Sequence, residues 1–225
     1  MISIIIPALN EESGIGKVID SIPLRKLPGK TEIIVVDGDS HDITVKIAES
    51  RGARVIIEKR KGYGRAYRTG FEHAKGDIIV TLDADNTYPA EKIPELVNML
   101  IKENLDFITT NRFASMEANA MTPRNIIGNK ILTKIMNLLH SSNINDSQSG
   151  MWAFKKKLLD DLELTSDGMP FSEEIKIEAF RNGFKVKEVP VHYKIRTGTV
   201  KLCAWKDGFL NLGFLIKKKL TKRGK

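Results

Sequence analysis

Two β-branched runs, Ile2-Ser-Ile-Ile-Ile6 and Glu32-Ile-Ile-Val-Val36, bracket a segment whose apolar residues Ile15, Val18, Ile19 and Ile22 recur at helical spacing. Both runs are continuously apolar rather than alternating, the pattern of strands buried on both faces of a parallel sheet. The rhythm continues with a helix expected over 43–50, a strand over 54–57, a helix over 64–74, a strand over 77–82, a helix over 91–102 and a strand over 106–110. Such alternation predicts an α/β fold, a mainly parallel Rossmann-like sheet flanked by helices. Ser13 is expected to cap the first helix. Beyond Arg112 the pattern loosens into a helix around 126–139, a strand over 150–154, a helix over 172–181 and a strand over 185–191. With no Pro/Ser-rich linker, repeat or low-complexity tract, one domain with a regular N-terminal half and a specialised C-terminal half is expected.

The chain has 225 residues, 41% of them hydrophobic, enough for a sizeable core. A single cysteine, Cys203, excludes an intrachain disulfide and a cysteine metal cluster. No charged-then-apolar signal precedes the first strand, so a cytoplasmic location is expected. The net charge of +8 favours an anionic partner: nucleic acid, a phosphorylated small molecule or a lipid surface.

In parallel α/β sheets, ligands collect beyond the carboxyl ends of the strands. Three predicted strand ends run into polar clusters: Pro7-Ala-Leu-Asn-Glu-Glu12, Asp37-Gly-Asp-Ser-His-Asp42 and Asp83-Ala-Asp85. Residues i and i+2 of an extended segment point the same way, so Asp83 and Asp85 would present their carboxylates together. Paired carboxylates repel and raise one pKa unless a cation lies between them. Mg²⁺ or Mn²⁺, completed by substrate phosphates, would resolve that repulsion. An isolated Asp-x-Asp more often caps a helix or faces solvent; the acidic groups at neighbouring strand ends favour the cation. Asp42 reads as a helix cap.

In order and spacing, Ser3-Ile-Ile-Ile-Pro-Ala-Leu-Asn-Glu-Glu12, Val35-Val-Asp-Gly-Asp-Ser-His-Asp-Ile-Thr44, Gly62-Tyr-Gly-Arg-Ala66, Gly76-Asp-Ile-Ile-Val80 and Asp83-Ala-Asp85 resemble family 2 glycosyltransferases. Asp146-Ser-Gln-Ser-Gly150, Glu188-Val-Pro190 and Arg196-Thr-Gly-Thr-Val-Lys-Leu202 resemble the subgroup that makes dolichyl- or polyprenyl-phosphate sugars. The resemblance implies a GT-A fold over 1–202 with a C-terminal acceptor half. It further implies a nucleoside-diphosphate sugar donor, GDP-mannose or UDP-glucose, and a lipid phosphate acceptor. Pro7, Asn10, Glu12, Asp37 and Asp39 would hold base and ribose. Asp85 would be the main metal ligand with Asp83 beside it. Arg112 and Arg124 would face the acceptor phosphate, and Arg196 and Lys201 would close over the diphosphate. Gln148 and Ser149 would border the sugar or diphosphate, unless they only form a turn before a strand. Gly38, Thr87 and Val200 depart from the family pattern, which bears on nucleotide, metal and diphosphate contacts respectively.

Two roles are open for Glu173 and Glu174: start of a helix capped by Ser172, or part of the active site. They are also the candidate bases in an alternative reading, a family 2 transferase acting on a glycan hydroxyl. Trp152 reads as core or pocket wall, and His41 and His192 as surface or packing residues. A nucleic-acid-binding domain would explain the charge but not the acidic strand ends, so no nucleic-acid partner is expected. In the segment 203–225, Trp205, Phe209, Leu210, Leu212, Phe214, Leu215 and Ile216 precede the basic stretch 217–225. This is shorter than the roughly 20 apolar residues of a spanning helix. It suits the surface of an anionic membrane, placing the protein peripherally at the cytoplasmic face, with room for a membrane partner protein.

Overall fold

The computed structural model describes residues 1–199 and 204–221, with side chains of 204–206 left aside. Val200, Lys201 and Cys203, and the last four residues of the basic stretch, lie outside the described residues. Seven strands form one sheet in the order β3-β2-β1-β4-β6-β5-β7. They are β1 (Ile2–Ala8), β2 (Thr31–Asp37), β3 (Arg54–Ile57), β4 (Ile78–Thr81), β5 (Phe107–Met116), β6 (Trp152–Lys155) and β7 (Val186–Tyr193). All run parallel except β6, which is antiparallel to both β4 and β5. The expected parallel sheet is therefore present with one inverted strand, and that inversion matters for the site. A strand entering backwards brings its preceding loop to the edge where the parallel strands end.

The helices are α1 (Ile15–Ser21), α2 (Thr44–Ser50), α3 (Tyr63–His73), α4 (Ile93–Lys102), α5 (Pro123–His140), α6 (Phe171–Arg181) and α7 (Ala204–Leu220). On one face of the sheet, Ile4 and Ile6 of β1 pack with Ile15, Val18 and Ile19 of α1 and Leu96 and Val97 of α4. On the other, Ile5 and Ile34 meet Tyr67 and Phe71 of α3 and Phe171 and Ile175 of α6. Each such side chain, taken out of water, contributes on the order of 1.5–3 kcal/mol. Trp152 is wholly buried in the second layer, 5.1 Å from the Tyr67 ring, and donates its indole N–H to the Ser149 carbonyl (2.7 Å). Of its two expected roles the structure gives it the core. A third cluster joins Leu132 and Met136 of α5, Ile177 of α6 and Leu215 of α7.

Three capping expectations fail. Gly14, not Ser13, occupies the N-cap of α1, and no side chain caps it. α6 starts behind Pro170, and the Ser172 hydroxyl is buried without a hydrogen-bond partner. Ile43, not Asp42, occupies the N-cap of α2, and no side chain caps it; Asp42 lies one residue earlier, where its Oδ1 accepts from the Thr44 amide (2.9 Å). No helix among the described residues is long and apolar enough to cross a membrane.

Candidate active site

Neighbouring β1, β2 and β4 end side by side, Ala8 pairing with Asp37 and Ile5 with Thr81. The loops that follow them open onto one edge. Asp37 closes β2 fully buried and accepts from the Ser40 amide (2.8 Å) and hydroxyl (2.5 Å). Asn10 turns the first loop at a left-handed φ of 49°, a conformation in which Asn is tolerated. Its Oδ1 accepts from the His41 amide (2.8 Å), and its own amide donates to Ser40 Oγ (2.8 Å). Glu12 adds a link from its Oε2 to the Ile43 amide (3.3 Å). The two loops are thus tied together, with half-buried Pro7 beneath them and Asp39 exposed beside them. Pro7, Asn10, Glu12, Asp37 and Asp39 share one edge, with Asn10, Glu12 and Asp37 also holding the loops in shape.

The Asp83-Ala-Asp85 turn follows β4 in the centre of that edge. Asp85 is buried, and its Oδ1 accepts from the Thr87 amide (3.1 Å) and hydroxyl (2.6 Å). Thr87, a departure from the family pattern, here orients the carboxylate. Oδ2 of Asp85 accepts from Arg196 Nη1 (2.7 Å), and the other terminal nitrogen of Arg196 bonds Glu11. Arg196 reaches this position because the segment after β7 lies back over the turn, with Lys194 and Thr197 donating their amides to the carbonyls of Thr87 and Asp85 (2.9 Å each). Glu11, rather than its neighbour Glu12, is the buried acid that meets Arg196.

Asp83 touches the hydroxyls of Tyr63 (3.3 Å) and Tyr67 (3.5 Å). Burial and the Asp85 charge push its pKa up to about 7. Two carboxylates, one of them so strained electrostatically, form a hard oxygen donor set that suits Mg²⁺ or Mn²⁺. No third His, Cys, Asp or Glu joins them among the described residues, so a cation there would need phosphate or water oxygens as well. Gly150 packs against the pair: a Cβ on it would lie 2.4 Å from the Tyr63 hydroxyl and 3.1 Å from Asp83 Oδ1. Gly150→Ala is therefore expected to displace Tyr63 and Asp83 and lower kcat by roughly 10- to 100-fold, with the melting temperature showing that the fold persists.

Because β6 runs backwards, the Asp146-Ser-Gln-Ser-Gly150 loop lies beside Asp83. Asp146 is wholly buried and takes a two-pronged ion pair from Arg112, at 2.7 Å from Nε and 2.8 Å from a terminal nitrogen. Burial alone would raise the Asp146 pKa, but Arg112 outweighs it and holds the carboxyl below its ordinary value. Glu188 of β7 accepts from the Asp146 amide (2.9 Å), and Lys176 donates to the carbonyls of Ser147 (2.7 Å), Ser149 (2.8 Å) and Ser172 (3.0 Å). Burial pushes the Lys176 amine down to about 7, yet three carbonyl acceptors match its three N–H bonds, the geometry of the ammonium form. Arg112 thus lies at the site with its fork turned onto Asp146 and its guanidinium 5.3 Å from the Tyr193 ring centroid. Arg124 is exposed in the first turn of α5. Lys201 falls outside the described residues. His41 is exposed, as is His192, whose Nδ1 lies 2.7 Å from Ser115 Oγ.

Glu173 and Glu174 are both fully buried. Glu174 accepts from the Thr165 and Ser166 amides (3.0 and 2.8 Å) and from Lys218 of α7 (3.2 Å), which gives it a structural role. Glu173 Oε1 accepts from Gln148 Nε2 (2.5 Å), while Oε2 is buried without a partner. Burial pushes Glu173 up to about 8 from an ordinary 4.5. The folded chain thus holds a proton there that the unfolded chain releases, so this contribution to stability is full below about pH 4.5 and lost as pH rises through about 8. Glu173→Gln keeps the neutral form at every pH. Thermal melts should show the variant gaining on the wild type between these limits; parallel pH profiles would contradict the assignment.

Sequence comparison bears on what these groups serve. Residues 3–163 match the model of the family described as Glycosyl transferase family 2. The chain belongs to that family. It is 33% identical over 207 residues to the dolichyl-phosphate hexose transferase of Haloferax volcanii, covering 92% of this chain and 89% of that protein. It is 34% identical over 219 residues to the low-salt glycan biosynthesis hexosyltransferase Agl6 of the same organism, covering 96% of this chain but 53%, about half, of that one. The fold superimposes with a TM-score of 0.74 on glucosyl-3-phosphoglycerate synthase from Mycobacterium tuberculosis, solved with Mn²⁺, UDP and glucosyl-3-phosphoglycerate. That match is 25% identical and covers 100% of this chain and 81% of that one. The family 2 chain described here therefore has the GT-A fold.

Proposed function

We propose that this glycosyltransferase moves a hexose from a nucleoside-diphosphate sugar, GDP-mannose or UDP-glucose, to dolichyl or polyprenyl phosphate, with inversion at the anomeric carbon. The observation that carries the choice of acceptor is the burial of both Glu173 and Glu174. A hydroxyl acceptor needs a base within hydrogen-bond reach. A phosphate monoester needs none, because its second pKa of about 6 leaves a nucleophilic oxygen at neutral pH. The relative named dolichyl-phosphate hexose transferase, which this chain covers over most of its length, supports the same reading.

In this reading the tied loops after β1 and β2 receive the nucleoside, with exposed Asp39 offered to it. Asp83 and Asp85 would hold a divalent cation, which would supply Lewis-acid stabilisation of the departing diphosphate. Thr87 fixes the Asp85 carboxylate, and Arg196, already charged and at hand, offsets negative charge as the bond to the sugar breaks. Arg112, held rigid by Asp146, keeps the Asp146–Gly150 loop against Asp83 and adds positive potential beside it. The acceptor oxygen attacks the anomeric carbon, the glycosidic bond breaks, and its electron pair leaves on the β-phosphate oxygen. Residues 1–202 make up the transferase and 203–225 the membrane-surface segment, at the cytoplasmic face.

The test is transfer in liposomes containing the lipid phosphate, with a donor panel, Mg²⁺ or Mn²⁺, and a parallel acceptor panel of soluble glycans and phosphoglycerate. Sugar-lipid as the product supports the proposal; transfer confined to the soluble acceptors contradicts it.

A further inference from the structure

The two carboxylates of the acidic turn are held in different ways. Asp85 is fixed from within its own turn, by Thr87. Asp83 is held from α3, through two tyrosine hydroxyls that both reach its Oδ1, Tyr63 at 3.3 Å and Tyr67 at 3.5 Å. Each hydroxyl has one hydrogen to give. The Tyr67 hydroxyl also faces the Gly150 carbonyl at 3.4 Å, whereas the other acceptor near Tyr63 is the Tyr67 oxygen at 3.5 Å. A carboxylate is the stronger acceptor of the two, so the Tyr63 hydrogen goes to Asp83.

The two rings differ as well. Tyr67 is wholly buried and packs on Phe71, Trp152 and Phe171, a core position. Tyr63 is only half-buried; its ring meets Tyr67 edge-on at 4.9 Å and lines a cavity with Met169, Pro170 and Phe214. A phenylalanine would pack there equally well.

The backbone around Tyr63 is closely fixed. Tyr63 opens α3 between Gly62 and Gly64. Gly62 has a φ of 136°, a region that favours glycine. A Cβ on Gly62 would run into the Asp167 carbonyl, and one on Gly64 into the Ser166 carbonyl. The 165–168 segment thus lies directly on the start of α3. There the Asp167 carbonyl accepts from the Arg65 amide (3.0 Å) and the Asp167 carboxylate from Arg68 (3.0 Å). Buried Glu174 fixes the segment in turn, through the amides of Thr165 and Ser166. At the other end of the side chain, Gly150 leaves room for the Tyr63 hydroxyl that any Cβ would fill.

We propose that Tyr63 is a positioning residue for the divalent cation, its hydroxyl fixing the Asp83 carboxylate so that Asp83 and Asp85 can hold the ion together. The inference rests on the reading of the acidic turn as a cation site and is independent of the acceptor. Hydrogen-bond partners of metal-binding carboxylates orient them, and losing one typically weakens metal binding by roughly 10- to 100-fold.

The test is Mn²⁺ binding to the full chain, followed by the EPR signal of free Mn²⁺ with UDP or GDP present and no acceptor. Tyr63→Phe should weaken Mn²⁺ binding by roughly tenfold or more. Its melting curve should stay within a few degrees of wild type, since it loses one hydrogen bond and keeps the ring. In the transfer reaction its requirement for Mn²⁺ should rise in parallel, with kcat at saturating Mn²⁺ restored to within a few-fold, a split that a packing role would not produce. Unchanged Mn²⁺ affinity in a folded Tyr63→Phe chain overturns the proposal, as does a loss of kcat that added Mn²⁺ leaves untouched. If wild type and Asp85→Asn bind Mn²⁺ alike, the cation reading itself fails and this proposal with it. A Tyr63→Phe shift in a protein that glycosylates only soluble glycans supports this proposal and refutes only the lipid-phosphate acceptor.

Discussion

Asp85→Asn is expected to lower kcat by about a thousandfold or more while leaving a folded protein. The amide keeps the shape and an oxygen to accept from Thr87, so the turn after β4 should hold. What it loses is the charge that faces Arg196 and that a cation would require. Removing that partner from Arg196, which keeps Glu11, should cost stability only about 1–2 kcal/mol. Steady-state transfer and a melting curve on the same sample separate the two effects. Activity within a few-fold of wild type would remove Asp85 from the reaction.

The largest stability effect should come from Asp146→Ala. Arg112 would be left charged and buried with its main partner gone, a loss of about 3–5 kcal/mol. For a chain of this size each kcal/mol lowers the melting temperature by roughly 2–4 °C. The pH dependence has a definite sign. Because Arg112 holds Asp146 below its ordinary pKa, the pair's stabilisation is present above the unfolded carboxylate value and lost as pH falls through the folded one. The gap between wild type and variant should therefore narrow in acid. A small, pH-independent difference would mean that the ion pair is not holding the Asp146–Gly150 loop.

The first half of the chain was legible because its strands are short, continuously apolar and locally punctuated. Ile2–Ala8 and Thr31–Asp37 could hardly be anything but central parallel strands, and their acidic ends followed from that placement. The inverted β6 was not legible. It has four residues, and its neighbours β4 and β5 are chosen by the folded sheet rather than by its own sequence. Period-two reasoning also stops where the strand stops, so the choice between Glu11 and Glu12 fell to a left-handed turn at Asn10 that no strand pattern predicts. The role of the α6 acids was left open for another reason. Charged residues at helical spacing ordinarily face water, yet Glu173, Glu174, Lys176 and Glu178 are all buried, because loop amides and carbonyls and Lys218 of α7 supply partners from distant parts of the chain.

The central claim is that the acidic turn after β4 and Arg196 serve transfer to a lipid phosphate without a side-chain base. The most direct measurement is the stereochemistry and identity of the product formed in liposomes from each nucleotide sugar, with wild type, Asp85→Asn and Glu173→Gln compared side by side. The account predicts a single sugar-phosphoryl-lipid of inverted anomeric configuration, made by wild type and by Glu173→Gln but not by Asp85→Asn. Sugar transferred only to a hydroxyl acceptor, in a reaction abolished by Glu173→Gln, would contradict it.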